Sequence, residues 1–248
     1  MIYKHGKHQI ELFASIDNLP ILRYNRFIKY QMQASEIGSN FVDFDRRSLK
    51  LIQFLQKNMI KEAAQEVENR RLTIHNSYND IIPSGKAFAC LVRRIDNVEY
   101  KEYSPENLDA CLDHLERIGL GNADAMEQLK EVKKKIENQL TAYFPKIFPR
   151  GGNRQLTALR VKRCFAQLDG LIEKKDNKDA IFGIEKEILE QDKPNNWNIW
   201  QDGNMERALE IEFKKFAIAV AEQTKQVLET ITVAMFYTTV ELLKEQKT

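Results

Sequence analysis

Apolar residues recur at intervals of three and four along most of this chain, the spacing that lines up one face of an α-helix. Residues 1–18 read as an arm, with a short strand where Ile10, Leu12 and Ala14 alternate with Gln9, Glu11 and Phe13. Asn18 can cap a first helix with Pro20 in its opening turn and Leu22, Phe27, Ile28 and Met32 on its apolar side. Gly38 stops it, and Asn40 followed by Asp43 resembles a capping box for a second helix bearing Phe44, Ile52 and Leu55. A third is expected over about 61–76, with Ala64, Val67 and Ile74 inward. After Pro83, a shorter helical pattern runs through Phe88, Leu91, Val92 and Ile95.

Ser104-Pro105 is the strongest start signal, a hydroxyl cap followed by proline at the first helical position. Leu108, Cys111, Leu112, Leu115 and Ile118 follow, and Gly119 closes the helix. The next runs from Asn122 to about Phe144 with Leu129, Val132, Ile136, Leu140 and Tyr143 aligned. Beyond a Pro-Gly loop, another carries Leu156, Leu159, Phe165, Leu168 and Ile172, and a short one holds Ile181, Ile184 and Ile188. Near the end, Leu209, Phe213, Phe216, Val220, Thr224, Val227, Ile231, Met235, Thr238 and Leu242 step by four, three and four. That eleven-residue cadence suits one long straight helix over 205–248. The expected organisation is mainly α: an arm (1–18), a helical bundle (19–192), an aromatic loop (193–204) and a long C-terminal helix.

Composition sharpens this picture. Ten glycines and six prolines in 248 residues are few for a turn-rich β fold. A 43% apolar and 30% charged chain can bury a core and stay soluble. The net charge is only +2, so an anionic partner would have to meet a local patch. Cys90, Cys111 and Cys164 have no paired spacing and read as buried, reduced thiols. MIYKHGKHQIELF lacks the apolar run of a signal peptide, and the tract 217–240 is broken by Glu222, Lys225 and Glu229, so neither secretion by a standard signal nor a membrane span is expected.

Catalytic and cofactor motifs do not emerge. Gly85-Lys86 lacks the upstream glycine and the hydroxyl of a phosphate-binding loop, and there is no H-E-x-x-H. Cys111 and His114 lie three apart on a helix, but two ligands without a second pair read as structural. No enzyme activity, metal or cofactor is expected. Two features stand out instead. Lys146, Arg150, Arg154, Arg160, Lys162 and Arg163 form an acid-free basic run able to meet phosphates, or else a solvated face or a match for an acidic neighbour. Trp197 and Trp200, in an Asn-rich loop, have the character of interface anchors.

The block LFASIDNLPILRYNRFIKYQMQASEIGSNFVDFDRRSLKLIQFLQ, followed by AAQEVENRR, resembles virion proteins of the crAss-like tailed phages of Bacteroidetes and their relatives. Leu19-Pro20-Ile21, Arg23-Tyr24, Phe27, Lys29-Tyr30, Ile37-Gly38-Ser39, Phe44-Asp45 and Glu68-Asn69-Arg70-Arg71 carry the resemblance, which covers about residues 12–78. It implies a virion structural part, a portal-proximal ring or adaptor (head–tail connector or tail ring) that binds copies of itself and portal or other neck and tail proteins, with DNA in the lumen as a further candidate partner. On that reading Phe27, Ile28, Met32, Phe41 and Phe44 form a helix-turn-helix core. Arg23, Arg26, Lys29, Arg46 and Arg47 then face partners, as would Trp197, Trp200, Phe213 and Phe216. The alternative is a cytoplasmic helical protein that binds nucleic acid through residues 146–163.

Overall fold

The chain opens as a β-hairpin in a computed structural model that describes residues 1–101, 104–149, 154–172, 174 and 176–245, without the side chains of residues 122, 123 and 154. β1 (Ile2–His5) and β2 (His8–Leu12) turn around Gly6, whose φ of +56° favours glycine. The first eighteen residues therefore supply structure as well as an edge: Ile10, Leu12 and Ile16 are core side chains. β2 pairs antiparallel with β3 (Val92–Ile95), and β3 with β4 (Val98–Glu99), giving the order β1-β2-β3-β4. The strand β3 corrects the helical reading of Val92 and Ile95. The helix before it, α4 (Pro83–Leu91), ends because Ile95 and Leu12 demand ladder partners: Ile10 opposes Ile95, Leu12 opposes Val92, and the Leu91 carbonyl accepts from Phe13 N at 2.8 Å.

Around this small sheet the fold is mainly α. α1 (Ile21–Glu36) packs along α4, burying Ile21, Tyr24 and Phe27 against Phe88 and Leu91. α2 (Phe41–Gln56) and α3 (Ile60–Tyr78) form a hairpin beside it. Asn40 caps α2 as predicted, its Oδ1 accepting from Asp43 N at 2.9 Å. Gly38 between α1 and α2 has φ +70°, and a Cβ there would run into the Asp43 side chain. α5 (Pro105–Arg117) begins at the Ser104 cap, with Oγ accepting from Asn107 N at 3.3 Å, and Gly119 closes it at φ +76°. α6 (Asn122–Tyr143) buries Leu129, Val132, Ile136 and Leu140 as its spacing requires, while Tyr143 turns out to solvent. α7 (Arg154–Ile172) and α8 (Lys178–Glu190) make a second hairpin. It is anchored by Leu189 in a small cluster with Phe54, Met59 and Ala63.

The long C-terminal helix is replaced by a bent pair, α9 (Met205–Thr224) and α10 (Val233–Glu245), which pack on each other. Lys225 takes a left-handed backbone, φ 54°, and a short 3-10 turn, Leu228–Thr230, follows. The β-branched stretch after it then crosses the start of α1. Ile21 N donates to Ile231 O at 2.9 Å and Val233 N to Leu19 O at 2.9 Å, and Pro20 faces Thr232 as an isolated bridge. These bonds and the burial of Ile231, Val233, Phe236 and Val240 outweigh the helical continuation that the eleven-residue cadence implied. Val220 keeps the predicted inward position, but Val227, Thr238 and Leu242 are exposed because the phase slips at the bend.

Candidate assembly surfaces

α3 is built inside out relative to its sequence pattern. Its buried side chains are Ala63, Glu66, Asn69, Arg70 and Thr73, whereas Ala64, Val67 and Ile74, predicted inward, are exposed. The cause lies at the end of α1, whose last carbonyls have no helical partner. Arg70 donates to Ile37 O at 3.3 Å and to Glu36 O, Thr73 Oγ1 donates to Ile37 O at 2.7 Å, and Asn76 Nδ2 to Gly38 O at 3.0 Å. A cation at a helix C-terminus also meets the negative end of the dipole. Arg47 on α2 and Arg70 both pair with Glu66, which is 0% exposed. Burial lowers the Arg70 pKa, opposed by Glu66.

Arg47 is thereby removed from the partner-facing set, and two more residues leave it. Arg23 is 1% exposed and donates to Cys90 O at 3.2 Å, Val92 O at 3.0 Å and Tyr100 O, holding the α4–β3 junction. Lys29 is buried against Glu206 at 2.7 Å. Arg26 is half-buried, and only Arg46, paired with Asp43 at 3.1 Å, stands in solvent. The aromatic prediction fails in the opposite direction. Phe41, expected in a core with Phe27, Ile28, Met32 and Phe44, is 78% exposed and stacks on the half-buried Phe44.

What the hairpin presents outward is largely apolar, interrupted by the charged Arg71. Ile60, Ala64, Val67, Arg71, Ile74 and Tyr78 are exposed and step by four and three along α3. On α2, Phe41, Val42, Leu49, Ile52 and Leu55 are exposed too. Phe41, Phe44, Ile74 and Tyr78 line one groove where the two rows meet. The α7–α8 hairpin adds Val161, Phe165, Leu168, Leu171 and Ile172. Exposed apolar surface of this extent is unusual on a chain that works alone.

The aromatic loop divides. Trp197 is buried, its Nε1 donating at 3.0 Å to Glu36, whose carboxylate also takes the Asn195 backbone N–H at 3.0 Å. Trp200 projects at 89% exposure. Phe213 is half-buried against Phe236, and Phe216 is exposed.

Among the described residues the basic run does not gather into one patch. Arg150 and the side chain of Arg154 lie outside the described residues. Lys146 lies 3.8 Å from Glu245 and Arg163 lies 4.0 Å from Glu185. Arg160 and Lys162, both exposed, are two positions apart on α7 and so diverge by roughly 200° around it.

Cys90 and Cys111 are buried, which pushes both thiols up to about 12, whereas Cys164 is exposed, contrary to the expectation for all three. His114 bonds Tyr100 Oη through Nδ1 at 2.7 Å. Among the described residues no group of three or more His, Cys, Asp or Glu is placed to share a metal, and no helix is long and apolar enough to cross a membrane. Comparison with protein-family models, curated proteins and solved structures finds no match to this chain.

Proposed function

We propose that this protein is a structural subunit of a phage virion, a portal-proximal ring or adaptor that acts by assembling with copies of itself and with neighbouring neck or tail proteins. The observation that carries the reading is the inverted α3, which spends its polar side capping α1 and leaves an apolar row facing solvent beside the apolar outer face of α2. A row stepping by four and three is the pattern by which one helix receives another. The resemblance of residues 12–78 to virion proteins supplies the setting. The diverging, partly paired basic run offers less support for the nucleic-acid reading.

The test is the particle itself. Antibodies raised against the recombinant chain should label purified virions at the portal vertex, and mass spectrometry should find the chain in washed particles. Its absence from intact particles would overturn the reading. On the same grounds, Ile74→Glu and Tyr78→Lys should block incorporation while leaving the melting temperature of the free protein unchanged.

A further inference from the structure

α7 carries two rows of side chains on nearly opposite sides. Toward α8 it turns the buried Leu159, with Leu156, Arg163, Ala166 and Gly170 half-buried beside it. On the other side it exposes Ala158, Val161, Phe165, Leu168 and Ile172, spaced three, four, three and four, with Leu168 also bordering a groove shared with Ile181 of α8. At 3.6 residues per turn the rows lie roughly 150° apart, so docking on α8 leaves the second row bare.

We propose that this row is covered by the same row of a second copy, the two α7 helices running antiparallel about a two-fold axis between residues 166 and 167. The proposal rests on the reading of the chain as an assembly subunit and names one partner for it, a two-fold contact that pairs two copies and is separate from the head-to-tail contact that closes a ring. The argument for this occupant is charge. In an antiparallel seam the inward positions alternate between copies. Phe165 then sits beside Leu168 of the second copy, and Val161 beside Ile172. The flanking positions follow without further choice. Lys162 faces Asp169 of the second copy, and symmetry repeats the pair. On the other flank Leu171 faces Cys164, an apolar match. Lys162 and Asp169 are both exposed, and neither makes an ion pair with another described residue.

The alternatives are poorer. A parallel pair would set Lys162 beside Thr157 and Asp169 beside Cys164, with no opposite charge matched. The α3 row paired with itself would bring Glu68 against Glu68 and Lys61 against His75. Of these two rows, the one on α7 is complementary to its own copy, which is what an isologous contact requires. A helix of 19 residues is about 28 Å long, so the contact falls below the ~1,200 Å² of a standard interface and should form in the micromolar range.

Sedimentation velocity on the full chain, from about 1 to about 200 µM, reads the outcome directly. The wild type should pass from monomer to dimer with concentration. Phe165→Glu, at an exposed position, should remain monomeric with unchanged circular dichroism. Lys162→Glu and Asp169→Lys should each weaken the dimer about five- to tenfold, since two symmetric pairs are lost and like charges meet. The double variant K162E/D169K should return near to the wild-type constant, which a merely structural role for either residue would not do. A wild type that stays monomeric, a dimer indifferent to Phe165→Glu, or a double variant no better than the singles would overturn the proposal. An oligomer that Ile74→Glu abolishes and Phe165→Glu spares overturns this contact alone. Absence from virions, by contrast, removes the virion reading whatever α7 does.

Discussion

Arg47 meets Glu66 through two parallel hydrogen bonds, Nε to Oε1 at 3.0 Å and Nη2 to Oε2 at 2.8 Å, between the inner faces of α2 and α3. Arg70 approaches the same carboxylate at 3.1 Å. One buried anion thus serves two cations, and both lose their counter-charge if it goes. Glu66→Ala should lower the unfolding free energy by about 3–5 kcal/mol, measured by urea denaturation. Replacing Arg47, Glu66 and Arg70 together by Met, Leu and Met removes the stranded charge. That triple variant should recover part of the loss, but not all, because Arg70 also serves the α1 carbonyls.

Arg23 is a second buried cation, held by carbonyls of Cys90, Val92 and Tyr100. Burial lowers its pKa, yet guanidinium stays charged at any pH the protein meets. Arg23→Leu would leave those carbonyls without their donor, and a loss of about 3 kcal/mol is expected in the same assay. Arg23→Lys should fall between, since one ammonium cannot reproduce the planar fork.

Glu36 fastens the Trp197 loop to the end of α1. Glu36→Ala should free the indole, shifting its fluorescence to the red and raising quenching by acrylamide. Trp200, already 89% exposed, provides a constant background that Trp200→Phe removes. An emission maximum unmoved in the Glu36→Ala/Trp200→Phe variant would show that Glu36 does not hold the loop.

Asp96 in the β3–β4 turn ties that turn to β2, accepting from His8 Nδ1 at 2.7 Å and Gln9 N at 2.8 Å. The His8 bond, then the Gln9 amide, hold its carboxyl below the ordinary 3.8. The unfolded chain therefore binds the proton more readily. The contribution is fully present above the ordinary value and disappears as pH falls from there through the folded value. In thermal melts from about pH 5 to about pH 2, Asp96→Asn should start less stable than wild type and lose less on acidification.

Helix starts and stops were legible where they depend on neighbours in sequence: Asn40, Ser104 and Gly119 act where local chemistry places them, whereas α1 begins after Pro20 with no side-chain cap, not at Asn18. Burial was legible where one apolar row faced one core, as on α6. It was not legible on α3 or α7. A periodic row states which residues share a side and says nothing about whether that side is covered. On α3 the polar side won because Glu36, Ile37 and Gly38 presented carbonyls that only Arg70, Thr73 and Asn76 could reach. The same distant demand hid Arg23, whose partners lie some seventy positions away, at |i−j| of 67 to 77. The bend at Lys225 belongs to this class too, since the bonds that reward it involve Leu19 and Ile21.

That stitching of residues 231–233 onto the beginning of α1 has a bearing on biosynthesis. Ile16, Leu19 and Ile21 leave the ribosome some two hundred residues ahead of the side chains that seal them, Ile231 and Val233. The nascent protein must therefore carry an open seam until residues 231–233 have emerged, and can close it only after that. A partner that took hold before that moment would meet an unfinished fold, so closure of the seam sets the earliest time at which the finished surface exists.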